Sequence, residues 1–185
     1  RRNVEHLEES CGLGILMPRR TIFIGDVHAC LDELHRLVEK LDVNGNDRVV
    51  MLGDLINRGP APAAVVRYVM ESGFECLLGN HEQDYLDGCH DEEKYVRLRK
   101  ELGSPCHTWI AARPLYIEND DFLAVHAGLE PGKHPRETKP RLLLNIRTWD
   151  GTGMDIKDPL NPAWYSFYHA SKPVFYGHWA TAGLT

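Results

Sequence analysis

Residues 49–60 read VVMLGDLINRGP. Four apolar side chains, Val49 to Leu52, run straight into Gly53 and Asp54, and Arg58 follows between Asn57 and Gly59. An unbroken apolar run bounded by turn formers reads as a strand buried on both faces. Gly, Asp, Asn and Pro make an ordinary turn. An aspartate and an arginine delivered together by a strand end are also what a charged ligand needs. Alone, the segment does not choose between these.

Its grammar recurs. TIFIGDVHAC (21–30) precedes LDELHRLVEKL (31–41), where Leu31, Leu34, Leu37, Val38 and Leu41 mark one face of an amphipathic helix. The opening stretch precedes APAAVVRYVMESG (61–73), with Pro60 and Pro62 near a helix start and Gly73 past its end. FECLLGNHE (74–82) leads into a polar segment with helical character around Asp91 to Leu102. Apolar strands alternating with helices predict an α/β fold with a parallel sheet covered on both faces. Right-handed crossovers then place the strand C-termini along one edge, where such sheets bind ligands. FLAVHAGL (122–129) and PVFYGHWA (173–180) are two further strand-then-polar segments. The Pro- and Lys-rich stretch 131–140 and the irregular 150–162 read as long loops, which in compact domains are more often functional than idle.

The 185 residues suffice for one domain with a substantial core. Hydrophobic residues at 43% and charged residues at 26% fit a globular protein, and a net charge of −6 offers no basic field for stable nucleic-acid binding. The five cysteines, Cys11, Cys30, Cys76, Cys89 and Cys106, form no C-x-x-C pair and read as reduced apolar fillers in a cytoplasmic protein. No run is long enough for a membrane span, and residues 1–20 read as an extension ahead of the first strand.

At the strand ends stand Asp26, His28, Asp54, Asn80, His81, His126 and His178. Each is explicable locally, but together they bring carboxylate, carboxamide and imidazole donors, without thiolate, to one sheet edge. Such a set suits Mn, Fe or Zn and is too large for one ion; two ions sharing a carboxylate would use it.

In order, GDVHAC, GDLINRG, GNHE, VHAG and YGHW resemble the five motifs of the phosphoprotein-phosphatase type of calcineurin-like metallophosphoesterase. The resemblance implies a four-layer α-β-β-α sandwich with mixed sheets and the active site at the strand C-terminal ends. The catalytic domain would occupy residues 21–185, with some C-terminal strands missing relative to full members. It implies two divalent ions, manganese first, with Fe, Zn, Co or Mg as alternatives. Asp26, His28 and Asp54 would hold one; Asp54 would bridge to the other, completed by Asn80, His126 and His178. His81 would be the general acid, outside the metal shell, and Arg58, Arg147 and Asn80 would meet substrate phosphate. For Arg147, an ordinary surface arginine is the competing reading.

Protein phosphatases of this family carry Asp where this chain has Asn57. A carboxamide can accept a hydrogen bond from His81 and fix its tautomer, but it cannot stabilise the imidazolium. A serine or threonine alkoxide leaving group suffers from that loss; a nucleoside phosphate, already a stable anion, suffers less. YGHWATAGL and IRTWDG also resemble the symmetrical diadenosine tetraphosphatase branch, in which the position of Asn57 likewise departs from Asp. The expected activity is therefore phosphoanhydride hydrolysis of a nucleotide polyphosphate by direct attack of a metal-bridging hydroxide. The alternatives are a serine/threonine protein phosphatase, a polyphosphate or RNA-cap hydrolase, a nuclease and a non-catalytic scaffold. Two departures stand out. Ala29 replaces a family Gly, tolerable if its φ is negative, and Glu82 stands where the tetraphosphatases commonly have Asp. The aromatics Trp149, Trp164, Tyr165, Phe167 and Tyr168 serve either adenine stacking or, the favoured reading, packing.

Overall fold

The computed structural model describes residues 20–179. The expected extension therefore lies outside the described residues except for Arg20, which already belongs to the first strand.

Three parallel strands form one sheet in the order β1 (Arg20–Ile24), β2 (Asp47–Met51), β3 (Glu75–Cys76). The crossovers are α1 (Leu31–Lys40) and α2 (Pro62–Glu71). After β3 the chain turns at once into α3 (Asn80–Gly88), then α4 (Glu93–Ala111), which kinks at Gly103 just before Pro105. The periodicity located part of α4 but missed α3, a mostly polar helix with only Glu82, Tyr85 and Gly88 buried. The second sheet is mixed: β4 (Tyr116–Glu118) pairs antiparallel with β5 (Leu123–Val125), which pairs parallel with β6 (Val174–Phe175). A short α5 (Pro140–Asn145) and two 3-10 turns, Pro135–Glu137 and Trp164–Phe167, lie in the long second-half loops.

The period-two alternation of side chains explains the layers. From β2, Val49 and Met51 join the helices α1, α2 and α4, while Val50 and Leu52 face the other way. From β5, Ala124 meets Val50 and Leu77 between the sheets, while Leu123 and Val125 face α5 and Trp164. The result is helices, parallel sheet, mixed sheet, then α5 with its loops. The parallel sheet is thus covered on both faces, but one cover is a sheet. The edge strands β1 and β6 are joined by a stack of Phe23 on Phe175, with ring centroids 3.8 Å apart.

One local expectation changes. Leu37, placed on the buried face of α1 by its spacing, is 39% exposed. As the packing reading had it, Trp164 is buried and packs against Tyr165, Tyr168 and Tyr176, and Trp149 joins the same cluster, whereas Phe167 lies outside it and is 39% exposed. Cys30, Cys76, Cys89 and Cys106 are free, while Cys11 lies outside the described residues. Among the described residues no helix is long and apolar enough to cross a membrane.

Candidate metal centre

All seven strand-end donors meet at one edge. Asp54, 1% exposed, lies at the middle. Its Oδ1 accepts from the His81 main-chain N–H at 3.0 Å and lies 3.5 Å from His126 Nε2. Its Oδ2 lies 4.0 Å from His28 Nε2 and 3.8 Å from His81 Nε2. Asp26 Oδ2 is 3.5 Å from His28 Nε2, and Asp26 Oδ1 accepts from the His178 main-chain N–H at 2.9 Å. Ligand atoms of Asp54, His126 and His178 form one close group; those of Asp54, His28 and His81 form another. Asp54 belongs to both.

The hydrogen bonds test whether a cation fits here. His126 Nδ1 donates to the Leu52 carbonyl at 2.7 Å, which leaves a neutral ring with a bare lone pair on Nε2. That lone pair faces Asn80 Oδ1 at 3.0 Å and Asp54 Oδ1 at 3.5 Å, so three acceptors converge with no proton between them. Burial disfavours a proton on His126 and pushes His178 down to about 3. His28 Nδ1 donates to the Ile56 carbonyl at 3.3 Å, and the buried Nε2 atoms of both His28 and His178 have no hydrogen-bond partner among the described residues. Burial pushes the Asp54 carboxyl up to about 7, the cost of a buried charge without a cation opposite it. Divalent cations answer each of these at once, and the donor set fits them.

The backbone is bent hard to achieve this. Positive φ occurs at His28, Ala29, Asp54, Asn57, Arg58 and His178, all at strand ends of the centre. Such conformations in non-glycine residues cost of order 1–3 kcal/mol each and persist only where surroundings over-determine them. Ala29 at φ 60° contradicts the negative φ its methyl group called for. It is held there by its N–H on the Leu55 carbonyl at 2.7 Å and its own carbonyl under Ala61 N–H at 3.1 Å.

Glu82 is the residue the motif reading undervalued. Its buried carboxylate accepts four main-chain N–H groups: Asp54 (2.8 Å) and Gly79 (3.1 Å) on Oε2, Leu55 (2.9 Å) and Ile56 (3.1 Å) on Oε1. A glutamate three residues after a helix N-cap is a capping-box spacing, the one sequence signal available. Burial, then the Asp54 charge, pushes its carboxyl up to about 7, against the hydrogen bonds that favour ionisation. A side chain at Gly79 would strike Asp54 and Glu82, so this approach also requires glycine there. We expect Glu82→Gln to cost about 2–4 kcal/mol, because an amide N–H would confront donors. A denaturant midpoint indistinguishable from the parent would refute that role.

His81 lies beside Asp54 and His28, and its hydrogen bonding differs from expectation in one respect. Asn57 Nδ2 lies 2.8 Å from His81 Nδ1. The carboxamide therefore donates rather than accepts, Nδ1 carries the lone pair, and the ring proton sits on Nε2, toward Asp54. Burial, followed by His28 and Arg58, lowers the imidazole to about 4, so the ring is neutral at pH 7. Arg58 is exposed yet close enough to act on His28, Asp54 and His81. The charge of Arg147 also acts on His178, and its buried Nε has no hydrogen-bond partner among the described residues.

The calcineurin-like phosphoesterase family matches residues 19–180. The symmetrical bis(5'-nucleosyl)-tetraphosphatase of Vibrio campbellii is 33% identical over 125 residues, and that of Psychromonas ingrahamii 35% over 123. Each alignment covers 60% of this chain and 45% of the relative, so the chain spans less than half the length of these relatives. A crystal structure of a candidate diadenosine tetraphosphatase superposes with a TM-score of 0.80 at 25% identity, covering 89% of this chain and 77% of that one. The match over nearly the whole chain, with these donors on that fold, identifies it as a member of the calcineurin-like phosphoesterase family.

Proposed function

We propose that this chain hydrolyses phosphoanhydride bonds of nucleoside polyphosphates, diadenosine tetraphosphate foremost. Asp26, His28 and Asp54 would hold one divalent ion; Asp54, Asn80, His126 and His178 would hold a second. Manganese is the first ion to test. Ions held there supply Lewis acidity and a nucleophilic water at neutral pH. Arg58 and Arg147, both without carboxylate partners among the described residues, would grip the phosphoryl oxygens in planar, two-pronged fashion. Asn80, beside His126, would meet the same oxygens. The neutral His81 ring would donate a hydrogen bond from Nε2–H to the departing oxygen, without transferring the proton.

The observation that carries the substrate reading is the 2.8 Å contact of Asn57 Nδ2 with His81 Nδ1. A donor at Nδ1 disfavours the imidazolium, so the acid is a neutral imidazole, a weak one. Weak acid assistance suffices only where the leaving group is itself a weak base. A nucleoside phosphate is; a serine alkoxide is not. The names of the tetraphosphatase relatives support the same substrate class.

The direct test compares ADP formation from diadenosine tetraphosphate with phosphate release from a phosphopeptide, both under manganese. Faster phosphopeptide turnover by orders of magnitude would overturn the substrate reading. Asn57→Asp probes the cause. A carboxylate would accept from Nδ1–H and raise the His81 pKa, keeping the imidazolium to higher pH. The ratio of phosphomonoester to anhydride activity should rise roughly tenfold, one pKa unit being a factor of ten in proton affinity. An unchanged ratio would remove Asn57 from the argument.

A further inference from the structure

The turn that begins at Asp150 is wound round one carboxylate. Asp150 Oδ1 accepts the main-chain N–H of Thr152 at 2.8 Å and of Gly153 at 2.6 Å; its Oδ2 accepts the Asp155 N–H and the Thr152 hydroxyl, both at 2.8 Å. Gly151 and Gly153, at φ 85° and 76°, let the main chain curl that tightly. From α5, the Arg141 guanidinium donates to the Gly153 and Met154 carbonyls at 3.2 and 3.3 Å. The far end of the turn is thereby set, and the residue after Asp155, Ile156, is buried.

Ile156 is what the Arg147 main chain rests on. Its carbonyl accepts the N–H of both Arg147 (2.9 Å) and Thr148 (3.0 Å). The Arg147 carbonyl accepts the Trp164 N–H at 3.1 Å, and the Trp149 N–H goes to the Pro162 carbonyl at 2.9 Å. Arg147 lies outside the helices and strands, and Thr148 makes an isolated bridge with Ala163, so these bonds rather than a sheet ladder fix it. Two contacts tie this region to the loop that carries His126. The Ala127 N–H donates to the Leu143 carbonyl on α5 at 2.9 Å, and the Trp164 ring lies so close to Gly128 that a Cβ there would strike it. The buried Arg147 Nε, without a hydrogen-bond partner among the described residues, is a donor that an anion would satisfy.

From this relay we propose that Asp150 is a positioning residue: through Asp155 and Ile156 it fixes the main chain of Arg147 and so aims the guanidinium at substrate phosphate. This rests on the phosphate role proposed for Arg147 above. A guanidinium stands at the end of a long flexible side chain, and its two-pronged bond to phosphate demands alignment, so drift in the main chain that carries it is costly. Both Asp150 oxygens are taken up by the turn, so its contribution comes through Arg147.

The test is a double-mutant cycle in the calorimetric binding of inorganic phosphate to manganese-saturated parent, Asp150→Ala, Arg147→Ala and the double variant, with Asp150→Asn beside them. Arg147→Ala should weaken phosphate binding by about tenfold to a hundredfold, the range of a charge-assisted hydrogen bond, and Asp150→Ala by about threefold to tenfold. In the Arg147→Ala background the Asp150 substitution should add less than about twofold, because it has nothing left to position. Asp150→Asn, which keeps one accepting oxygen, should recover part of the loss, and manganese stoichiometry should match the parent throughout. A merely structural carboxylate would weaken binding equally with and without Arg147. That result, loss of an ion in Asp150→Ala, or parent affinity in Asp150→Ala would overturn the proposal. Arg147→Ala with parent affinity would refute the phosphate role of Arg147 and the positioning with it, whereas a loss confined to Arg147→Ala would remove Asp150 alone. Because the probe is inorganic, these outcomes are separable from the nucleotide substrate reading.

Discussion

Asp54→Asn should abolish paired metal binding and activity together, while making the metal-free protein more stable. Asp54 is the one side chain common to both donor groups, so replacing it weakens both ion sites. The loss in kcat/KM should be at least about a thousandfold, the upper range for removal of one preorganised electrostatic partner. The stability effect has the opposite sign. In the metal-free protein burial raises the Asp54 pKa to about 7, far above its unfolded value. The folded state then binds protons more strongly than the unfolded one, so stability falls as pH rises from about 4 through 7. A neutral amide keeps the bond from the His81 N–H and removes that penalty. At pH 7 metal-free Asp54→Asn should melt above the metal-free parent by about 2–4 °C per kcal/mol recovered. With manganese the order should reverse. Elemental analysis and melting curves with and without metal measure both effects. Two ions per chain in the variant would show that Asp54 is not the shared ligand.

His81→Ala should behave differently. If Nε2 carries a proton, His81 is a donor to the departing oxygen and not a ligand, so two ions per chain should remain. The turnover number should fall by roughly 10²–10⁴, the usual contribution of a positioned acid. Because the acid serves the leaving group, the loss should shrink as the leaving group improves: an aryl phosphate with an acidic phenol should lose least. The close grouping of His81 with His28 and Asp54 makes the alternative concrete. Loss of an ion in His81→Ala would identify Nε2 as a ligand, and Asn57 would then be orienting a metal ligand.

The strand–helix grammar of residues 21–82 was legible because it depends on near neighbours. Apolar runs, the spacing of Leu31 and Leu34, and the prolines before α2 all act within a turn or two. Where that local signal was weak the reading failed: α3 is polar, and β4 is three residues long. Leu37 shows the other failure, a correct period whose outermost position stays 39% exposed.

The sequence by itself determined which donors this protein has and that strand ends deliver them, since a residue following a strand must emerge at that strand's end. Tertiary structure alone decided how they meet. His178 reaches Asp26 across 152 residues, His126 reaches Leu52 across 74, and Glu82 ties down the Asp54 loop across 28. The first two arise from one sheet packing on another, which brings β5 and β6 beside β1 and β2; the third joins the segments that follow β2 and β3 of one sheet. Other contacts between remote segments hold Ala29 in its left-handed backbone and set Asn57 against His81. No local periodicity encodes them, because each is fixed by the shape of a partner remote in the chain.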